Sequence, residues 1–141
     1  MSIPVILSVR GRQSYMGQDP DVIELVTEGT LEYLDGGWNI SYAESALTGL
    51  EGVNTCFRIE SDRVILTRTG KLHSQMIFQE NVCHDSLYQM EFGALMITVC
   101  AKQIFAQIDE CGGVIDLVYS IDIEHTAAGE IDYHLDIRPK L

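Results

Sequence analysis

Positively charged residues are scarce in this chain. Its 141 residues include 9 lysines and arginines against 21 aspartates and glutamates, which gives a formal net charge of −12 at pH 7. A surplus of negative charge repels nucleic-acid phosphates and anionic lipid headgroups. The composition therefore predicts that neither a nucleic acid nor a membrane is a partner.

Long apolar runs are also missing. No segment approaches the roughly 18 apolar residues of a membrane-spanning helix. The opening residues, Met-Ser-Ile-Pro, lack the basic region and the small-residue cleavage site of a secretory signal. We therefore expect a cytoplasmic protein. A chain of 141 residues predicts a single domain, residues 1–141, that can fold without a disulfide or a metal.

The cysteines show no Cys-x-x-Cys spacing. The chain has four of them, Cys56, Cys83, Cys100 and Cys111, and they are far apart in the sequence. Reducing compartments keep such thiols free. We therefore expect four reduced, half-buried thiols and no zinc site.

Helical periodicity is absent, and alternating segments take its place. The clearest are residues 114–124 and 131–138, where apolar and polar residues alternate with the period of two that a half-buried strand requires. The apolar faces consist of Leu117, Tyr119, Ile121 and Ile123, and of Ile131, Tyr133, Leu135 and Ile137. We predict that the two segments form a hairpin joined around residues 127–129.

Two short turns predict the register of two further hairpins. Asp35-Gly36 suits the positive φ angles of a type I′ turn, and this turn pairs Tyr33 with Trp38, Leu31 with Ile40, Gly29 with Tyr42 and Thr27 with Glu44. A two-residue turn at Ser61-Asp62 pairs Glu60 with Arg63, Ile59 with Val64, Phe57 with Leu66 and Thr55 with Arg68.

The rest of the chain supplies more segments of strand length. They are residues 3–12, 73–79, 86–92, 95–101 and 103–109, and residues 14–20 are predicted to form a loop. Nine to ten strands with short connections predict an all-β antiparallel meander. Few lysines are present to protect open edges, which favours closure into a barrel of about 8–10 strands.

Combining the two registers brings polar residues into one row across four adjacent strands. The row consists of Thr27, Glu44, Thr55 and Arg68, all facing inward by parity. An inward carboxylate and guanidinium are costly unless they pair, and a pair of this kind can orient the polar end of a ligand. The alternatives are an ion pair that only closes the end of the barrel, or a catalytic group. Neither a nucleophile nor a second inward carboxylate supports catalysis.

Two other features favour structural interpretations. Residues 48–52 contain two glycines but no lysine, which is typical of a tight connection rather than a phosphate cradle. The acidic residues of the last hairpin are more typical of a solvated face than of a metal site; with His134 they are Asp122, Glu124, Asp132 and Asp136. We predict no metal and no cofactor.

Several motifs resemble the YwiB-like family of uncharacterised bacterial proteins. They are Tyr42-x-Glu44, Thr48-Gly49-Leu50-Glu51-Gly52, Arg68-x-Gly70, Phe78, Tyr88, Phe92-Gly93 and Gly113 with Tyr119. The resemblance covers nearly the whole chain and implies a calycin-type barrel, similar in architecture to lipocalins, without an established activity. Many members have threonine two residues after the tyrosine that corresponds to Tyr88, where this chain has Met90.

These observations favour a non-enzymatic protein that binds a small amphipathic ligand inside the barrel. The expected contacts are Glu44, Arg68, Thr55, Thr27, Tyr42 and Phe57, and no catalytic residue is assigned. The first alternative is a filled barrel that acts through its outer surface, as an interaction module or a homodimer, for which Val26 and Leu34 would be the exposed apolar residues. The second is an enzyme that uses the polar row.

Overall fold

The computed structural model describes residues 2–14, 19, 21–45 and 50–140. This part of the chain contains ten antiparallel strands. They are β1 (Ser2–Ser14), β2 (Asp21–Leu34), β3 (Gly37–Ala43), β4 (Val53–Ile59), β5 (Val64–Gly70), β6 (Ser74–Phe78), β7 (Cys83–Met90), β8 (Gly93–Asp109), β9 (Gly112–Ile123) and β10 (Thr126–Pro139). Within these residues no helix is long and apolar enough to cross a membrane.

The strands form one sheet that curls into a nearly closed barrel. The order is β6-β5-β4-β3-β2-β1-β10-β9-β8-β7, so that β1 pairs with both β2 and β10 and joins the two halves of the chain. The edge strands β6 and β7 meet at the seam through two isolated bridges, His73 with Gln89 and Gln79 with Val82. The predicted all-β antiparallel meander is confirmed.

The two predicted tight turns set the register as expected. Asp35 and Gly36 have φ angles of 51° and 80°, which a type I′ turn requires, and Leu31 pairs with Ile40. In the next hairpin Thr55 pairs with Arg68. Outside the barrel, Arg63 forms an ion pair of 3.9 Å with Glu60.

The turn of the last hairpin is earlier than predicted. Glu124 and His125 have φ angles of 51° and 65° and form the connection, whereas the predicted connection, residues 127–129, lies within β10. The register shifts between Ala127 and Gly129. A β-bulge accommodates one extra residue at this point, so the break in alternation marks a bulge and not the turn.

The two segments predicted at 95–101 and 103–109 are one strand, β8. Its register shifts between Ala101, which pairs with Tyr119, and Gln103, which pairs with Val118. Lys102 is the extra residue. Before it the odd-numbered residues Ile97 and Val99 face the core, and after it the even-numbered Ile104 packs against the core. A bulge therefore reverses the parity, and the sequence pattern looks like two strands.

The prediction of four free thiols is wrong. Cys83 of β7 and Cys100 of β8 form a disulfide with a Cα–Cα distance of 4.1 Å, while Cys56 and Cys111 are free. The two bonded cysteines are directly opposite each other in the β7–β8 hairpin. The sequence did not predict this pairing, because the two cysteines are 17 residues apart and only the register of the hairpin brings them together.

The hydrophobic core lies in the barrel interior. Its largest fully buried side chains come from strands all around the barrel and include Leu7, Leu31, Phe57, Phe78 and Leu135. Tyr33 shares the parity of the inward-facing residues of β2 but is 54% exposed, because it precedes the turn at the barrel end and packs its ring against Trp38 instead. The predicted loop at 14–20 lies mostly outside the described residues.

Candidate functional site

One end of the barrel contains a cavity of about 440 Å³. Its lining comes from the last residues of β1, the first of β2, Leu50 after β3, and residues of β3 and of β5 to β10. Two lining residues, Ile23 and Ile123, are 50% and 37% exposed, so the cavity reaches solvent. This volume falls in the range of small-molecule pockets in proteins.

A buried ion pair lies at the inner side of this cavity. Thr55 Oγ1 donates a hydrogen bond of 2.6 Å to Glu44 Oε2, and Arg68 Nε lies 4.0 Å from the same oxygen. The side chains of Glu44 and Arg68 are 2% and 15% exposed. The register of β4 and β5 places Thr55 opposite Arg68, so the three groups meet as the sequence predicted.

One hydrogen-bond donor of Arg68 has no acceptor among the described residues. Its Nε is buried and has no hydrogen-bond partner among the described residues, and the same holds for the hydroxyl oxygens of Ser74 and Ser86. Ser74 pairs with Arg68 across β5 and β6 and is only 7% exposed. A buried polar atom without a partner is destabilising unless a bound water or a ligand atom satisfies it.

Three tyrosines complete the polar part of the lining. The hydroxyl groups of Tyr42 and Tyr133 are 3.2 Å apart, in hydrogen-bond contact, and Tyr119 also lines the cavity. Burial raises the pKa of Tyr42 to about 12, with a further contribution from the charge of Glu44. Burial likewise raises the pKa of Tyr119 and of Tyr133. All three hydroxyl groups therefore stay protonated at neutral pH and can donate hydrogen bonds.

The remaining walls are mainly apolar. They consist of Val9, Leu25, Met76, Leu95, Ile97, Ile121 and Ile131, and the charged side chains of Arg12 and Asp21 lie nearer the mouth. Because polar groups cluster at the inner end and apolar groups along the walls, the cavity suits a molecule with one polar head and an apolar body.

Three predicted site residues do not line the cavity. Thr55 lies behind Glu44 and holds its carboxylate, and Phe57 is fully buried with its ring centroid 5.4 Å from that of Tyr133. Thr27 is outside the row altogether, since the ladder between β2 and β3 ends at Thr30 and Ser41. Of the predicted contacts, Glu44, Arg68 and Tyr42 line the cavity.

The close approach of two strands explains why Thr27 is left out. A Cβ atom on Gly29 would lie 2.5 Å from the carbonyl oxygen of Ser41. Beyond this contact β3 follows β4, with Tyr42 opposite Thr55, while Thr27 pairs with Leu7 on the other side of β2. The predicted pairing of Thr27 with Glu44 therefore does not form.

Sequence reasoning missed Ser74 and the mouth residues Arg12 and Asp21. The register of β5 and β6 would have placed Ser74 opposite Arg68, but no turn signal comparable to Asp-Gly joins these strands. Of the connection at residues 48–52, only Leu50, Glu51 and Gly52 are described, and Leu50 lines the cavity.

A second depression, of about 370 Å³, lies on the outer face of β1, β9 and β10. It is lined by Arg10, Arg12, Asp116, Asp132 and His134. His134 Nδ1 is 2.5 Å from Asp116 Oδ1. Within the described ranges, no three histidine, cysteine or acidic side chains are placed to hold a metal ion.

Comparison with known proteins identifies the family. No curated protein matches the chain. A solved structure, the crystal structure of the ywiB protein from Bacillus subtilis, is similar with a TM-score of 0.89 and 22% sequence identity, over 99% of this chain and 94% of that one. At this identity the likeness shows the fold alone. The family model described as a domain of unknown function (DUF1934) matches residues 7–137, and the chain therefore belongs to that family.

Proposed function

We propose that this protein is a non-enzymatic binding protein for a small amphipathic ligand, which occupies the cavity at the end of the barrel. The observation that carries the proposal is Arg68, which lines a cavity of about 440 Å³ and whose buried Nε has no hydrogen-bond acceptor among the described residues. A ligand acceptor atom would satisfy this donor, while Leu25, Ile97 and Ile121 would contact the apolar body of the ligand.

The architecture is compatible with this role. An antiparallel barrel of this size can enclose one small ligand, as calycin-type barrels of the lipocalin kind do. We extend that label to this protein as part of the proposal. The enzymatic alternative is weaker, because Glu44 is already engaged by Thr55 and Arg68.

A pair of variants on β2 tests the site. Ile23 lines the cavity, and Val26 lies on the outer face of the same strand with 66% exposure. Ile23→Trp would fill the mouth, whereas Val26→Trp adds the same side chain outside the barrel. Both positions are exposed enough to accept tryptophan without repacking the core.

The measurement is native mass spectrometry of protein freshly purified from its own host, compared with the mass after denaturation. We expect a non-covalent adduct of defined mass on the wild type and on Val26→Trp, and a bare chain for Ile23→Trp. A bare wild-type monomer or dimer would contradict the proposal and favour the filled-barrel alternative, an interaction module or homodimer.

We place this activity in the cytoplasm of a bacterial cell, a location that the composition favours. The Cys83–Cys100 disulfide provides the test, since disulfides are rare in reducing compartments. Alkylation of thiols at the moment of lysis should modify all four cysteines if the protein is cytoplasmic. Modification of Cys56 and Cys111 alone would indicate an oxidising location.

A further inference from the structure

The charged groups that line the cavity cancel one another. Two acids, Glu44 and Asp21, and two bases, Arg68 and Arg12, belong to the lining. At the inner end the only charges of the described lining are those of Glu44 and Arg68, already paired. A ligand head at this depth therefore meets a neutral ion pair instead of a net positive charge.

The inner end nevertheless offers hydrogen-bond donors. Arg68 Nε is buried and has no acceptor in the part of the chain that the structure describes, and the hydroxyl groups of Tyr42 and Tyr133 lie in contact with each other at 3.2 Å. A guanidinium group can only donate, and a tyrosine hydroxyl can donate or accept. The unmet requirement of the site is an acceptor atom.

We infer that the ligand head is an uncharged hydrogen-bond acceptor, such as the carbonyl group of a carboxamide or an ester, and that it binds beside Arg68 with the apolar body toward the mouth. This inference rests on the proposed function. It names the chemical class of the ligand that the site accepts.

Charged heads are disfavoured for two different reasons. A carboxylate beside Arg68 would also lie close to the carboxylate of Glu44, which is 2% exposed, and like charges placed together out of water cost several kcal/mol. An ammonium group would be repelled by Arg68 and has no lone pair to accept from Nε. An uncharged carbonyl avoids both penalties.

Three ligands with the same eight-carbon chain separate these possibilities: octanamide, octanoate and octylammonium. Isothermal titration calorimetry at pH 8 compares them, since the second is then anionic and the third cationic. We expect wild-type protein to bind octanamide at least about tenfold more tightly than either ion. Ile23→Trp should abolish the binding and Val26→Trp should retain it.

Glu44→Gln tests the neutral pair directly. The variant keeps an oxygen that can accept a hydrogen bond from Thr55 but leaves the charge of Arg68 uncompensated. The ratio of the affinity for octanoate to the affinity for octanamide should therefore rise at least about tenfold. Glu24→Gln is the control, because Glu24 pairs with Arg10 on the outer face and is 72% exposed. Glu24→Gln should leave the ratio of the two affinities, for octanoate and for octanamide, unchanged.

The outcomes distinguish the inference from the proposed function. Wild-type protein that binds octanoate or octylammonium as tightly as octanamide would overturn the inference and leave the binding site in place. An unchanged ratio in folded Glu44→Gln would also overturn it. If none of the three ligands binds, both the inference and the proposed function fail. The wild-type comparison stands even if Glu44→Gln does not fold.

Discussion

Arg68 is a charged residue that faces the barrel interior. It is the partner of a carboxylate that is 2% exposed, and the two strands that carry Thr55 and Arg68 are in direct register. The sequence predicted this pair from two turns and from parity. It could not predict that Arg68 Nε lacks an acceptor among the described residues, because that depends on the positions of every neighbouring atom.

Removal of Arg68 should destabilise the fold. Arg68→Met leaves the buried Glu44 without its positive partner, and we expect a loss of about 3 kcal/mol in the free energy of unfolding. The double variant Glu44→Gln/Arg68→Met should recover most of this loss. Urea denaturation measures both changes.

Arg10→Met provides the matched control for this measurement. Arg10 pairs with Glu24 at 3.8 Å, and both side chains are largely exposed, so the loss should stay below about 1 kcal/mol. Equal losses for Arg68→Met and Arg10→Met would show that the inner pair contributes no more than a surface pair.

Tyr42 should make the fold sensitive to alkaline pH. Burial raises its pKa to about 12 in the folded protein, against about 10 in an unfolded chain. Between these values the folded state binds more protons than the unfolded state. Its stabilising contribution is therefore complete below pH 10 and is lost as the pH rises toward 12.

Tyr42→Phe removes this proton linkage. The urea midpoint of the variant should fall less between pH 10 and pH 12 than that of the wild type. Tyr33→Phe, which changes a tyrosine that is 54% exposed, serves as the control and should follow the wild type. Parallel curves for Tyr42→Phe and the wild type would contradict the linkage.

At the scale of elements, strands and tight turns were predictable but bulges were not. Asp35-Gly36 is a residue pair that positive φ angles favour, and the predicted pairs nearest the turn, Tyr33 with Trp38 and Leu31 with Ile40, are confirmed. Glu124 and His125 adopt equally positive φ angles without the residues typical of such a turn. Their placement follows from the pairing of β9 with β10, which is a tertiary constraint.

The disulfide is expected to hold β7 against β8. It closes a segment whose ends are 17 residues apart, and cross-linking a loop of this length is worth about 3 kcal/mol through the entropy of the unfolded chain. Under oxidising conditions the free energy of unfolding of Cys83→Ser should be lower than that of the wild type by about this amount. Under reducing conditions the two should be equal. Guanidinium denaturation in both conditions measures the difference.

Cys111→Ser is the control for the disulfide, since Cys111 is exposed and free. It should behave as the wild type in both conditions. Equal midpoints for Cys83→Ser and the wild type without reductant would contradict a stabilising bond.

For the whole molecule, the seam between β6 and β7 should be the place where the barrel opens. Only the bridges of His73 with Gln89 and of Gln79 with Val82 pair these edges in the described chain, whereas β1 pairs with β10 along ten residues. Local opening is easiest where few hydrogen bonds hold the backbone.

Hydrogen–deuterium exchange measured by mass spectrometry tests this expectation. Peptides from β6 and β7 should exchange faster than peptides from β1 and β10 under native conditions. Uniform protection around the barrel would contradict it and would indicate that the seam is as stable as the continuous ladders.

The sequence by itself determined most of the strands, the inward faces of several of them and the register of two hairpins close to their turns. These features depend on local rules, namely side-chain alternation and turn residues. Only the tertiary structure decided the bulge at Lys102, the pairing of Cys83 with Cys100, the exclusion of Thr27 and the cavity beside Arg68. Each of these arises where strands distant in sequence meet, because the spacing between their backbones and the volume of their side chains decide which contacts form.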